Sequence, residues 1–322
     1  MSPDGLRIGS VCSGYRGLDM AVETVFGGTT AWVSDIDPGA NKILAHHWPT
    51  VPNLGDLTTT DWSAVEPVDV FCGGYPCQPF SIAGEKKGTA DERHIWPHIA
   101  RALGVLRPRY AVFENVGNHL RLGFDTVLAD LARLGFDAEW VCVRASDAVL
   151  APHPRRRLIL LATAQDADRE PGGEWRVAAS GQAEGGGARA DAGGRGGASV
   201  ADSSGVGRGE GRPESAGVEG GSGVARSGAQ AWGKYGPAVR RWENVTGRPA
   251  PHPTNSVGRL STAAVEWMMG LPAGHVTDVP GLTRNQQLHA LGNGVVHQHA
   301  EAALRVLLAR SEANRRTLAA AA

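Results

Sequence analysis

The chain has 322 residues, which suits one large domain or two moderate ones, and 42% of them are hydrophobic, enough for a real core. A net charge of −1 excludes a uniformly basic nucleic-acid binder, although a local positive face needs no overall excess. Of the 32 basic residues 28 are arginine, a skew that suits bidentate phosphate and guanine contacts but also follows from a high-GC coding bias. The four cysteines, Cys12, Cys72, Cys77 and Cys142, form no CxxC pair and no cluster with zinc spacing, so no metal is expected. No apolar run approaches the ~20 residues of a membrane span. The opening MSPDGLRIGS is unlike a signal peptide, so the expectation is a cytoplasmic monomer with reduced thiols and no membrane partner.

Residues 1–162 alternate strand-like and helix-like segments. Leu6–Cys12 reads as a strand, 17–26 as a helix, Ala31–Ser34 as a strand and 38–47 as a helix. Val68–Phe71 is a third strand, 93–106 a helix, Tyr110–Phe113 a strand and 124–134 a helix, with Val141–Val143 and Leu158–Leu161 as a final pair of strands. Such alternation predicts an α/β fold with a doubly wound, mostly parallel sheet, which binds ligands at the carboxyl ends of its strands. Composition changes near 163: residues 163–255 hold 22 of the 44 glycines, and 181–228 is low in complexity, a composition that cannot build a packed core. Trp232–Thr254 regains aromatics. Ser261 and Thr262 predict a helix through Met269 stopped by Gly270, and a last helix follows Gly292-Asn293, over about 294–311.

The residues with chemical potential sit at predicted strand ends. Ser13-Gly14-Tyr15-Arg16-Gly17 leads from the first strand into the first helix, where glycine lets backbone approach a ligand, although such turns also occur without one. After the second strand comes Ser34-Asp35-Ile36-Asp37; Asp37-Pro38 reads as a helix cap, and Asp35 is the better candidate to accept from ribose hydroxyls. Phe71–Gly84, FCGGYPCQPFSIAG, holds one cysteine between two prolines, which stiffen the loop around its thiol. Cys77 therefore reads as a reactive thiol, whereas Cys72 and Cys142 sit inside apolar runs as core cysteines do. Glu114, in Val-Phe-Glu-Asn-Val, is either a solvated strand end or a carboxyl whose proton affinity desolvation raises. Arg155, Arg156 and Arg157 enter a strand whose alternation places Arg155 and Arg157 on one face, unless they form a surface charge run.

In sequence and order, PCQPFS at 76–81, ENV at 114–116, the Arg-x-Arg at 155–157 and GNGV at 292–295 resemble the cytosine-5 DNA methyltransferase family of bacteria and phages. The match covers about 1–162 and 257–311. It implies a catalytic and cofactor-binding domain over 1–162 and a smaller, loop-rich target-recognition segment over 163–283, Gly-rich and partly disordered at about 165–230. A C-terminal return to the catalytic domain over 284–322 completes the arrangement. The cofactor implied is S-adenosyl-L-methionine, and the partner double-stranded DNA with its target base flipped out. Cys77 is the implied nucleophile, Glu114 the residue holding the cytosine by its ring nitrogen and amino group, and Arg155 and Arg157 the residues steadying base and thiolate loop. The implied cofactor contacts are Ser13, Gly14, Gly17, Leu18, Asp35 (ribose), Ile36, Asp56 (adenine), Leu57 and Asn293; Asp91 and Arg93 match a motif of mostly structural role. Restriction-modification, evasion of phage defence and regulation are all compatible purposes.

Three features depart from the family pattern. Gly9-Ser10 stand where an acid is common, Tyr15-Arg16 replace a small residue and a glycine, and His153 takes the place of a glutamine. The alternatives are a transfer-RNA methyltransferase of the same fold, an inactive DNA-binding homologue, and a nicotinamide-dependent oxidoreductase, which would leave Cys77 and Glu114 without a role.

Overall fold

The computed structural model describes residues 5–76, 95–167 and 228–321. Cys77, Asp91, Arg93 and most of the Gly-rich stretch lie outside the described residues. Six strands form one sheet: β1 (Arg7–Val11), β2 (Thr29–Ser34), β3 (Val70–Gly73), β4 (Tyr110–Val116), β5 (Phe136–Arg144) and β6 (Arg156–Ala164). Their order is β2-β1-β3-β4-β6-β5. The first four are parallel, and β6 runs antiparallel to both β4 and β5. The helices of the described residues are α1 (Gly17–Phe26), α2 (Pro38–His47), α3 (Trp96–Leu106), α4 (Phe124–Arg133), α5 (Ala145–Val149), α6 (Gly236–Thr246), α7 (Thr262–Met268), α8 (Arg284–Asn293) and α9 (His297–Ala321).

This is the expected doubly wound, mostly parallel sheet. β1 and β3 are buried nearly end to end because helices cover both of their faces. Alternation along β3 sends Phe71 to one side, into a cluster with Trp32, Trp62, Trp96, Ile99 and Leu103. Val70 and Cys72 point to the other, against Val22 of α1 and Leu304 and Leu307 of α9. The chain starts at β1 in the middle, steps to β2 on one side and then to β3 on the other, so a crevice opens at the carboxyl ends of β1 and β3.

Local chemistry sets several boundaries as expected. Asp37 caps α2, accepting from Gly39 N (2.9 Å) and Ala40 N (2.8 Å), with Pro38 at the first helical position. Ser261 caps α7, and Gly270, at φ 75°, ends it.

β2, β4 and β6 run longer than expected, and three further differences have local causes. β3 is not Val68–Phe71 but runs on to Gly73, where a Cβ would lie 2.7 Å from Val11; bare backbone keeps the ladder to β1 closed. β5 spans nine residues rather than Val141–Val143, because at the sheet edge its half-exposed, mixed sequence does not read as an apolar run. Gly292-Asn293 does not precede the last helix at 294 but closes in α8, begun by a reciprocal Thr283–Gln286 capping box, and α9 starts at His297.

Candidate active site

A cavity of about 510 Å³ opens at the carboxyl ends of β1, β2, β3 and β4. Ser13, Gly14, Gly17 and Leu18 line it from the first loop, Asp35 and Ile36 from the end of β2, and Asp56 and Leu57 from the following connection. Glu114, Arg157 and Asn293 complete the set, so residues from six separate stretches meet in one space. Pro76 reaches the same wall; the adjoining Cys77 lies outside the described residues.

Asp35 is held by backbone. Gly14 N donates to its Oδ2 at 2.8 Å and Asp37 N to its Oδ1 at 2.9 Å. Burial pushes its carboxyl above the usual range, and those N–H groups pull in the opposite direction. Gly14, at φ 55°, has open space where a Cβ would stand, so the loop turns sharply without filling the cavity. Ile36 is 68% exposed at the rim, an apolar side chain left for a ligand to cover. Asp56 is exposed and turns the chain by accepting from Thr58 N (2.8 Å) and Thr58 Oγ1 (2.7 Å), which hold its carboxyl below the ordinary value.

Glu114 is buried on β4. In the β4–β6 ladder it faces Ile159, and Arg157 faces Val116 two positions away, so Glu114 and Arg157 are diagonal neighbours on one face. Arg157 Nε lies 2.6 Å from the buried Glu114 Oε1, an ion pair at contact distance. Burial raises the Glu114 carboxyl, against the opposing fields of Arg157 and Arg155. Arg155, at φ 23° just before β6, does not line the cavity; its Nη2 donates to Gly292 O at 2.8 Å and to Gly294 O.

The backbone leading to Cys77 is anchored beside Glu114. Asn115 Nδ2 donates to Tyr75 O at 3.2 Å, and the Tyr75 hydroxyl and His119 Nε2 are 2.7 Å apart. Neither Tyr75 nor His119 is singled out by sequence reasoning, since nothing in one chain says that residues 75 and 119 meet. Cys12 lines the cavity too, but burial, and then the Asp35 charge, push its thiol up to about 12, so it is a neutral group. Cys72 is fully buried and Cys142 packs against the aromatic cluster, as core cysteines do.

The model of the C-5 cytosine-specific DNA methylase family matches residues 6–182. The chain belongs to this family. Among curated relatives, a DNA N-6-adenine-methyltransferase of Escherichia phage P1 is 39% identical over 125 residues, covering 34% of this chain and 16% of that protein. The Type II methyltransferase M.HgiCII of Herpetosiphon aurantiacus is 30% identical over 156 residues, covering 46% of this chain and 35% of the relative. The chain thus matches about a third or less of the length of these relatives. Among solved structures, the S. pombe Dnmt2 methyltransferase superposes with a TM-score of 0.59 at 16% identity, over 95% of this chain and 99% of that one. A putative DNA modification methyltransferase encoded within an E. coli prophage gives 0.55 at 16% identity, over 94% and 99%. At that identity the likeness is one of fold.

Against the family pattern, the departures have local explanations. Arg16, at φ 69° where glycine is usual, costs about 1 kcal/mol of backbone strain. Its buried guanidinium meets Asp19 (3.2 Å), Glu23 (2.7 Å) and Thr30, and lies 4.2 Å above the Trp48 ring. Asp19, in the first turn of α1, is fully buried within hydrogen-bonding reach of Ser10 on β1. His153 Nε2 is 3.1 Å from Met268 O, a contact a glutamine amide could also make.

Proposed function

We propose that this chain is a DNA (cytosine-5-)-methyltransferase acting on a flipped cytosine in duplex DNA, with S-adenosyl-L-methionine as methyl donor and Cys77 as nucleophile. The observation that carries this reading is Glu114: a buried carboxyl of raised proton affinity, paired with Arg157, in the same cavity as the Asp35 acid and beside the strand end that leads to Cys77. The amino group and ring nitrogen of cytosine are matching hydrogen-bond partners for such a carboxyl.

The lining fits the cofactor. Asp35 offers oxygens for ribose hydroxyls, Asp56 an acceptor for an adenine amino group, Ile36 and Leu57 apolar cover, and the open space at Gly14 a close backbone approach. Ser13, Gly17, Leu18 and Asn293 form the remaining contacts of this proposed site. Bound there, S-adenosyl-L-methionine supplies a methyl group activated by its sulfonium.

Carbon 5 of cytosine is a poor nucleophile. The Cys77 thiolate adds to carbon 6 while Glu114 shares a proton with the ring nitrogen, and electron density moves to carbon 5. Arg157 keeps Glu114 in place and balances its charge. Carbon 5 then takes the methyl group, and loss of its proton to solvent breaks the carbon 6–sulfur bond and returns Cys77 as thiolate while Glu114 recovers its proton. Flipping the base out costs roughly a few kcal/mol, which contacts from the target-recognition segment proposed at 163–283 would offset. Adenine N6, the position named for the phage relative, is an exocyclic amine that needs no thiolate addition; a buried carboxyl beside the Pro76-Cys77 loop favours the pyrimidine reaction.

The test is transfer of labelled methyl from S-adenosyl-L-methionine to duplex DNA, with transfer RNA as the competing substrate and bisulfite sequencing to locate the product. A duplex carrying 5-fluorocytosine should trap a covalent adduct that Cys77→Ala abolishes. Transfer to transfer RNA alone, to adenine, or undiminished activity in Cys77→Ala would defeat the proposal.

A further inference from the structure

The stretch Gly292–Val295, from the last turn of α8 toward α9, forms one wall of the cavity and is gripped through its carbonyls by two side chains. Arg155 Nη2 donates to Gly292 O and Gly294 O. The Tyr15 hydroxyl donates to Val295 O at 2.6 Å. The Tyr15 ring is fully buried and lies flush against glycines: a Cβ on Gly294 would stand 1.8 Å from Tyr15 Cε1, and one on Gly17 would stand 2.6 Å from Cε2 and 2.3 Å from Val295 O. The first loop and the C-terminal stretch are thus fitted to each other at van der Waals range. Tyr15 is itself fixed from behind, where His275 Nε2 is 2.9 Å from Tyr15 O and the two rings pack edge to face. His275 in turn stacks on His47, whose Nε2 is 2.7 Å from His275 O.

We propose that Tyr15 is a positioning residue that latches the C-terminal wall Gly292–Val295 onto the first loop, so that the cavity is shaped for its cofactor before the cofactor arrives. The inference rests on the methyltransferase reading for the identity of that cofactor, and on the Tyr15–Val295 and Tyr15–Gly294 contacts for the latch. Three carbonyls held by two side chains leave these four residues little freedom, and a wall ordered in advance lowers the entropy lost on binding. Tyr15 touches neither reacting atom nor base in this scheme, so its loss weakens binding and spares the chemical step.

Tyr15→Phe removes the hydroxyl and keeps the ring. In the full chain, S-adenosylhomocysteine affinity by titration calorimetry should fall about tenfold, in line with one buried hydrogen bond. KM for S-adenosyl-L-methionine should rise in parallel, with kcat within about twofold of wild type. Independently of any ligand, amide hydrogen exchange over 292–296 should accelerate severalfold while β3 and β4 stay protected. Gly294→Ala, whose Cβ would push on the same ring, should reproduce the affinity loss and serves if Tyr15→Phe folds poorly. Unchanged affinity and unchanged exchange in both variants would overturn the latch, as would a fall in kcat with affinity intact. If the wild-type chain bound no S-adenosylhomocysteine, the functional reading would fail, and the exchange measurement would still decide on the latch.

Discussion

Arg157 Nε stands 2.6 Å from Glu114 Oε1, and the antiparallel register of β4 with β6 is what brings them together. The pair has a direct consequence. Burial raises the Glu114 carboxyl, and Arg157 opposes that rise. Arg157→Ala should therefore raise the Glu114 titration point further, read by isotope-edited infrared of the carboxyl stretch; a fall would mean that Arg157 does not act on it. Glu114→Gln should lower single-turnover methyl transfer by roughly 10²–10⁴-fold, the range of general acid–base contributions, with DNA affinity nearly unchanged.

His299 is fully buried at the start of α9, and neither ring nitrogen has a hydrogen-bond partner. Desolvation first, then the nearby Arg157, Arg155 and His153, depress it to about 4. The folded protein thus keeps this ring neutral, whereas the unfolded chain takes up a proton near its ordinary value of 6.5. Its contribution to stability is present above about 6.5 and is lost as pH falls toward 4, on the order of 3 kcal/mol in full. Denaturant melts at pH 7 and pH 5 should show that loss, and His299→Leu should show less of it; equal pH dependence in the two proteins would contradict this.

Glu266 is a buried carboxylate with every donor supplied locally. Val276 N (2.6 Å) and Thr277 N (3.0 Å) donate to Oε1, and Gly274 N (2.8 Å) and Thr277 Oγ1 (3.0 Å) donate to Oε2. This ties α7 to the loop that carries His275. Glu266→Gln places an NH2 group against such donors and should cost about 2–4 kcal/mol. Chemical denaturation reads the loss directly, and a change below about 0.5 kcal/mol would show that the cage is dispensable.

The thiols should separate by reactivity. Cys12 is held near 12 and Cys72 is pushed well above its ordinary value by burial, so neither forms thiolate at neutral pH. Iodoacetamide at pH 8 followed by peptide mass spectrometry should modify Cys77 first and leave Cys12 and Cys72 unlabelled. Labelling of Cys12 ahead of Cys77 would contradict both the protection of Cys12 and the role proposed for Cys77.

Much of this molecule could be read from the order of its residues. The helices 17–26 and 38–47 fall where hydrophobic spacing and Asp37-Pro38 put them, because caps and periodicity act over a few residues. Ser13, Gly14, Asp35 and Glu114, which line the cavity, could be picked out at predicted strand ends, whereas Asp56, Leu57 and Asn293 came only through the family resemblance. The long edge strand β5 and the helix α8 were not, because an exposed edge and a capping box inside a mixed sequence leave only faint patterns.

What the linear order of residues could not contain is who meets whom. Tyr15 and Arg16 stand out in the sequence only as departures from a glycine-rich loop. In the folded chain Tyr15 reaches a carbonyl 280 residues away, and Arg16 closes a buried charge network with Asp19 and Glu23. Arg155 and Arg157, two residues apart and alike in sequence, part company: one holds the glycines of the C-terminal wall, the other the carboxyl of Glu114. Residue type and spacing determined which groups this chain carries to its strand ends. The packing of distant segments, which decides desolvation and pairing, determined which of them face the cavity and which hold its walls.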